Sequence, residues 1–343
     1  MDILKLSKYK NIDLRSEHEF RKSTIPGSIN LPILRDPEFE SIGKEYKAKG
    51  QKAALELGLQ IVSGDVKNRR ISKWNEHIKS NNGCFIFCYR GGLRSEIAKQ
   101  WLLNENMSVE RIKGGYKKVR GIILEKFQSH SFYKKKWMIL GGLTGSGKTI
   151  LLNKFKNSID IEGIANHRGS AFGRTDTVQD TCANFENNLL FAYINNSAPI
   201  ILFEDESRTI GKATLPNNWY TKMQTSNLII LDVSMEERVE NILEEYIVFA
   251  LQGSYNQKSL KIKYTSALEK IQKRLGSVLY KKIRLKMEGA FNNSSLEEHR
   301  EWIFHLLYYY YDPMYNHKLE KRKNYIVHRG DYKSCNNYIE SNS

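Results

Sequence analysis

The chain has 343 residues, of which 40% are hydrophobic, 27% charged and 11% aromatic. That is an ordinary globular mixture, with length for two domains, and it excludes a disordered, collagenous or coiled-coil chain. Lys and Arg number 54 against 38 Asp and Glu, a formal net charge of +16, which favours a polyanionic partner such as nucleic acid. No stretch approaches the roughly 18 apolar residues of a membrane span, and the opening MDILKLSKYKNID has no apolar core with a cleavage site, so a cytoplasmic protein with no membrane partner is expected.

Residues 1–125 alternate short apolar runs with amphipathic stretches, the pattern of a small α/β domain. Strands are expected at Ile12–Leu14, Ile29–Leu31, Cys84–Cys88 and Val109–Ile112, and helices at 38–60 and 94–105. Between the third strand and the second helix lies Cys88-Tyr89-Arg90-Gly91-Gly92-Leu93-Arg94-Ser95. A thiol there sits among backbone N–H groups at a helix N-terminus, a setting that favours the nucleophilic thiolate and would also hold an oxyanion. A lone cysteine at a strand end is ordinarily a small buried hydrophobe, but arginines and paired glycines serve no core purpose. Cys88, Arg90 and Arg94 are therefore the catalytic candidates, and Cys84 is assigned to the core. With Cys182 and Cys335 these cysteines are too scattered for a disulfide framework or a paired zinc motif.

Residues 126–136 are polar and basic and are expected to be a linker. A second alternation then begins, a P-loop α/β domain over 137–240. The buried run WMIL leads into Gly142-Leu143-Thr144-Gly145-Ser146-Gly147-Lys148-Thr149 and a helix from about Lys148 to Phe155. This is a complete G-x-x-x-x-G-K-[ST] in its required context. Its glycines let the N–H groups around Thr144 and Ser146 turn toward phosphate oxygens, Lys148 neutralises charge, and the Thr149 hydroxyl can ligate Mg²⁺. The loop implies a bound polyphosphate and not which one, so ATP and GTP stay open. Pro199–Phe203 and Asn227–Leu231 read as buried parallel strands. The first runs into Glu204-Asp205-Glu206, where Glu204 and Asp205 are the expected metal carboxylates. Arg168 and Arg174, after the apolar run Ile159–Ile164, and Arg208, after the acidic strand end, suit phosphate or diphosphate equally well. The acids of 234–246 have helical spacing and read as a solvated helix face.

Asp13-Leu14-Arg15, Glu19-Phe20, Ile25-Pro26-Gly27-Ser28-Ile29-Asn30-Leu31-Pro32, the Cys88 loop and Gly114-Gly115-Tyr116 resemble the rhodanese domain, a sulfur-carrying fold whose loop cysteine bears a persulfide. The Trp usual after the last glycine pair is absent. With the P-loop added, CYRGGLRS, NHRGSAFG at 166–173 and EDESRTIG at 204–211 are similar to the bacterial tRNA 2-selenouridine synthases, from about residue 10 to about 240. The resemblance implies a rhodanese-like α/β domain, then a P-loop NTPase-like parallel α/β domain with a basic helical part over 241–343 packed on it. It implies a cytoplasmic transferase that replaces sulfur in the wobble 2-thiouridine of tRNA with selenium, using geranyl diphosphate and selenophosphate through an S-geranyl nucleoside. Its partners would be the tRNA anticodon region and an enzyme supplying selenophosphate.

Residues 258–286 hold ten basic side chains against the single acid Glu269. Lysines there interleave with Tyr264 and Tyr280, and the run Tyr308–Tyr311 follows. Phosphate neutralisation and base stacking are what single-stranded loop recognition requires, so Lys270, Lys273, Arg274, Lys281 and Lys282 are the expected tRNA contacts. Three other readings stay open: a rhodanese-fold C-x₅-R phosphatase built on Cys88 and Arg94, a P-loop kinase with a sulfur-transfer domain, and a nucleotide-switched RNA-binding regulator.

Overall fold

The computed structural model describes residues 3–81, 83–174, 177–253 and 255–342. The chain forms two compact units, Met1–Ser129 with Thr181–Asn195, and His130–Asp180 with Asn196–Ser343.

In the first unit, strands β1 (Ile12–Asp13), β2 (Ile29–Asn30), β3 (Phe85–Phe87) and β4 (Glu110–Arg111) lie in the order β2-β1-β3-β4, all parallel. The expected helices appear as Asp36–Ile61 and Leu93–Asn104. A further helix, Gly64–Ser80, buries Ile71, Trp74 and Ile78 on one face, as an amphipathic helix over a sheet should. Trp74 pins it by donating its indole N–H to the Leu31 carbonyl at 3.0 Å. The helix Cys182–Asn195 packs in this unit although it lies within the stretch expected as P-loop domain. Asn187, fully buried on it, donates to the Thr24 carbonyl at 2.7 Å and the Tyr116 hydroxyl at 3.2 Å.

The second unit has β5 (Lys136–Gly141), β6 (Ser158–Ile159), β7 (Ile200–Glu204), a small hairpin of β8 (Thr209–Ile210) and β9 (Ala213–Thr214), then β10 (Asn227–Leu231) and β11 (Ile326–Gly330). The main sheet is parallel, in the order β11-β10-β5-β7-β6. Its edge strand β11 comes from the C-terminal part, where helix was expected. Helices that include Met235–Leu243, Gln257–Leu275, Ser277–Asn293, Leu296–Leu306 and Asp312–Glu320 supply most of that part; among them Leu268, Ile283, Met287 and Trp302 build an apolar core. The chain leaves β5 for β6 and β7 on one side and returns to β10 on the other. A parallel sheet opens its ligand crevice at such a reversal, beyond the strand C-termini. The α/β architecture expected from the sequence is the one the chain adopts.

Candidate active site

The loop after β5 closes through backbone geometry that only glycine tolerates. Gly145 has φ +83°, and a Cβ there would lie 2.8 Å from the Arg238 carbonyl oxygen. Lys148 Nζ folds back to the Gly142 carbonyl at 2.9 Å. Pairing of β5 with β7 sets Leu140 opposite Glu204, so the first carboxylate past the apolar run of β7 stands beside the loop. Thr149 Oγ1 donates to Glu204 Oε2 at 3.0 Å.

Glu162, from the short helix after β6, and Glu206 join Glu204; oxygens of the three carboxylates lie within 4.8 Å of one another. Burial, then the negative charges of Glu206 and Glu204, push the Glu162 carboxyl up to about 10. Burial followed by Glu206 and Asp160 raises Glu204 to about 8, and burial raises Glu206. Glu204 Oε1 and Ser146 Oγ are buried without a hydrogen-bond partner among the described residues. This donor set of hard oxygens fits a divalent cation. Gly169, at φ +33°, caps the cluster; a Cβ would stand 2.3 Å from Glu162 Oε1 and 2.7 Å from Glu206 Oε2. Asp205, expected among the metal ligands, turns instead to Arg322 in an ion pair. The sequence reading does not single out Glu162 and Glu206, although an acid within the 159–164 run and the third acid of EDE are both visible there.

These groups form one end of a cavity of about 1020 Å³. The rest of its lining mixes apolar side chains, among them Phe172, Ile242, Phe249, Trp302, Leu307 and Met314, with polar and charged ones such as Glu244, Glu245 and Tyr315. Arg168 also lines it, 3.1 Å from a Glu245 oxygen and 5.2 Å above the Tyr246 ring. Arg174 and Arg208 are exposed and outside the lining. The loop is braced by distant residues. Arg238, 3% exposed, grips both Asp312 oxygens at 2.8 Å and donates to the Thr144 carbonyl at 3.2 Å. Asn241 donates to the Gly145 carbonyl at 2.9 Å, and the Gly142 N–H donates to the Tyr315 hydroxyl at 2.7 Å. Arg238 and Asn241 thus give the segment read as a solvated helix face a second, buried duty.

The Cys88 loop is braced by backbone. Gly115, at φ +58°, lies so close that a Cβ would be 2.2 Å from the Cys88 carbonyl oxygen and 2.4 Å from the Gly91 nitrogen. Tyr116 and Lys117 N–H groups donate to the Cys88 and Tyr89 carbonyls at 3.0 and 2.8 Å. Cys88 is buried, its thiol 3.3 Å from the Ser95 hydroxyl. Arg94 pairs with Glu19 at 2.5 and 3.1 Å. Burial works against the Glu19 charge, but the Arg94 hydrogen bonds outweigh it and hold that carboxyl below its ordinary value. Arg90 is exposed. The buried Asp13–Arg15 pair, 2.6 Å apart, carries Arg15 to 4.2 Å from the ring of Tyr116, the residue that follows the last glycine pair.

The sequence profile of the rhodanese-like domain matches residues 2–121, and that of the tRNA 2-selenouridine synthase AAA domain matches residues 135–343. Relatives named tRNA 2-selenouridine synthase include the protein of Sulfurovum sp. (strain NBC37-1), 38% identical over 342 residues covering 96% of this chain and 94% of the relative. Those of Pseudomonas fluorescens (strain Pf0-1) and Shewanella sp. (strain ANA-3) are 39% and 36% identical, over 96% of this chain and 93% and 94% of theirs. The chain belongs to the tRNA 2-selenouridine synthase family. Arg94 in this chain is engaged with Glu19, not held free for a phosphate as a C-x₅-R phosphatase requires. Lys270, Lys273, Arg274, Lys281 and Lys282 are all exposed on the helices Gln257–Leu275 and Ser277–Asn293. Lys270 lies close enough to the loop at the carboxylate cluster that its charge adds to burial in lowering the His167 pKa. Of the tyrosines, Tyr264, Tyr280 and Tyr310 are buried, while Tyr308 and Tyr309 are exposed. No helix among the described residues is long and apolar enough to cross a membrane.

Proposed function

We propose that the chain converts wobble 2-thiouridine of tRNA to 2-selenouridine in two transfers, taking a geranyl group from geranyl diphosphate and then selenium from selenophosphate. The observation that carries this reading is the two-natured cavity. A phosphate-cradling loop and three carboxylates line the same cavity as the apolar side chains Phe172, Ile242, Phe249, Trp302, Leu307 and Met314, which suits a ligand that joins a diphosphate to a hydrocarbon. Thr149, Glu204, Glu162 and Glu206 would hold Mg²⁺, which when bound would offset the charge of a diphosphate. In the first transfer the tRNA sulfur attacks C1 of the geranyl chain, the C–O bond to diphosphate breaks, and the thioamide proton is lost. Gly142, Gly145, Gly147 and Lys148 shape the site for the departing pyrophosphate, and Arg168 lies within reach of the same end. In the second transfer the selenium of selenophosphate attacks C2 of the base, the C2–S bond breaks and geranylthiol leaves with a proton, and water then cleaves the Se–P bond to give 2-selenouridine and phosphate, with Cys88 and its glycine-bounded loop serving this transfer. Lys270, Lys273, Arg274, Lys281 and Lys282 contact tRNA phosphates.

Mass spectrometry of tRNA nucleosides tests the reading. Incubation with geranyl diphosphate should yield S-geranyl-2-thiouridine, and later addition of selenophosphate should convert it to 2-selenouridine. Conversion to 2-selenouridine at full rate without geranyl diphosphate would overturn the two-transfer scheme.

A further inference from the structure

The helix Asp312–Glu320 runs away from the P-loop along one wall of the cavity. Asp312 is held by Arg238, and Tyr315 accepts from the Gly142 N–H. Lys318 donates to the Ser207 hydroxyl at 2.8 Å, and Arg322 is paired with Asp205. At about 1.5 Å per residue, Lys321 stands some ~9 Å further along the axis than Tyr315; its backbone is still helical. Lys318 and Lys321 both line the cavity and both are solvent-exposed, so they mark a rim where it opens. Lys321 makes no hydrogen bond or ion pair among the described residues. The end of this helix therefore presents Lys318 and Lys321 at the cavity opening, while Arg322, a buried cation of the same lining, is neutralised by Asp205.

We propose that Lys318 and Lys321 bind backbone phosphates of the RNA substrate at this rim, steering one nucleotide into the cavity. The inference rests on the reading that RNA brings the acceptor sulfur to this cavity, and it gives that RNA a contact surface distinct from residues 258–286. The diphosphate end already has Lys148 and the loop N–H groups, so cations at the rim are not required there. Flexible, singly charged lysines suit phosphates met one at a time along a strand. It also gives Ser207 a positioning duty, that of orienting Lys318.

The test is equilibrium binding of unmodified tRNA, across a salt series, to the parent chain and to Lys318→Ala/Lys321→Ala. The expected result is tRNA affinity weakened about tenfold or more, and a dependence of log K on log salt shallower by about one to two. Affinity for geranyl diphosphate should stay within about twofold, and Lys318→Arg/Lys321→Arg should restore RNA binding. Unchanged tRNA affinity and salt slope in the alanine variant would overturn the proposal. So would loss of geranyl diphosphate binding with tRNA binding intact, which would assign both lysines to the diphosphate. A parent chain that binds tRNA no better than a DNA duplex of equal length would defeat the underlying reading along with it; a parent that binds normally beside an unaltered variant defeats this proposal alone.

Discussion

The two glycine-rich loops of this chain follow the same local recipe, an apolar strand, a turn and a helix, yet they are held by different means. The Cys88 loop is fixed by backbone lying against backbone. Gly91 meets Gly114 and Gly115, and the Tyr116 and Lys117 amides cap its carbonyls. The P-loop is fixed by side chains from far along the sequence, with Arg238 on Thr144, Asn241 on Gly145 and Tyr315 on Gly142. The first loop binds through contacts about 25 residues away, the second through contacts about 95 to 170 away. A loop built by backbone contact should be intolerant of any added atom. A loop built by side chains should loosen in steps as each brace is removed.

The largest effect is expected at Gly115→Ala. Its Cβ would overlap the Cys88 carbonyl oxygen and its positive φ disfavours any L side chain, so the first unit should lose at least ~3 kcal/mol. Gly121→Ala, in the same helix with open space around it, should gain about 0.5 kcal/mol. Calorimetry on both variants checks the contrast, and equal effects would mean that backbone packing does not hold the Cys88 loop.

Arg238→Ala should cost about 3 kcal/mol, because Asp312 is left without its partner while mostly buried. It should also weaken geranyl diphosphate binding, measured by titration calorimetry, by about tenfold. Asn241→Ala, which removes a single hydrogen bond, should cost only about 1 kcal/mol. An Arg238→Ala protein of parental affinity would show that the P-loop keeps its shape unaided.

The smallest effect concerns pH. The folded-state values of Glu162 and Glu204 lie above those of free carboxyls, so the folded state binds protons more tightly than the unfolded one. The stability these groups contribute is complete below about pH 4.5 and is lost as pH rises through about 8 for Glu204 and about 10 for Glu162. In chelator, Tm should fall by several degrees, roughly 2–8 °C, between pH 6 and 9. Mg²⁺ should recover the loss and do so more strongly at the higher pH. A Tm indifferent to Mg²⁺ at pH 9 would remove the cation from these carboxylates.

The same contrast decides what could be read from sequence. The strands beside both loops, the P-loop itself and the glycine pair 114–115 are local patterns, and they appear where expected within a few residues. Gly169 was visible in NHRGSAFG, but its reason, the two carboxylates it lies against, is not local. Neither is the swing of Asp205 toward Arg322, the burial of Arg238 within an acidic helix, or the return of residues 326–330 to the sheet as β11. The Asp205, Arg238 and β11 features each depend on a partner over 70 residues away, and periodicity reports only which face of an element is apolar. The helix Cys182–Asn195 is the same case, since its buried Asn187 is bonded in the first unit to Thr24 and Tyr116, both more than 70 residues away.

If the two loops divide the chemistry, their single variants should stop the pathway at different nucleosides. The decisive measurement is mass spectrometry of tRNA nucleosides after Cys88→Ser and Lys148→Ala chains are each given geranyl diphosphate and selenophosphate. Lys148→Ala should leave 2-thiouridine unchanged, having lost by at least ~100-fold the step that expels a diphosphate. Cys88→Ser should accumulate S-geranyl-2-thiouridine with little 2-selenouridine. Formation of 2-selenouridine by Cys88→Ser at the parental rate, or normal geranylation by Lys148→Ala, would contradict the division of labour between the loops.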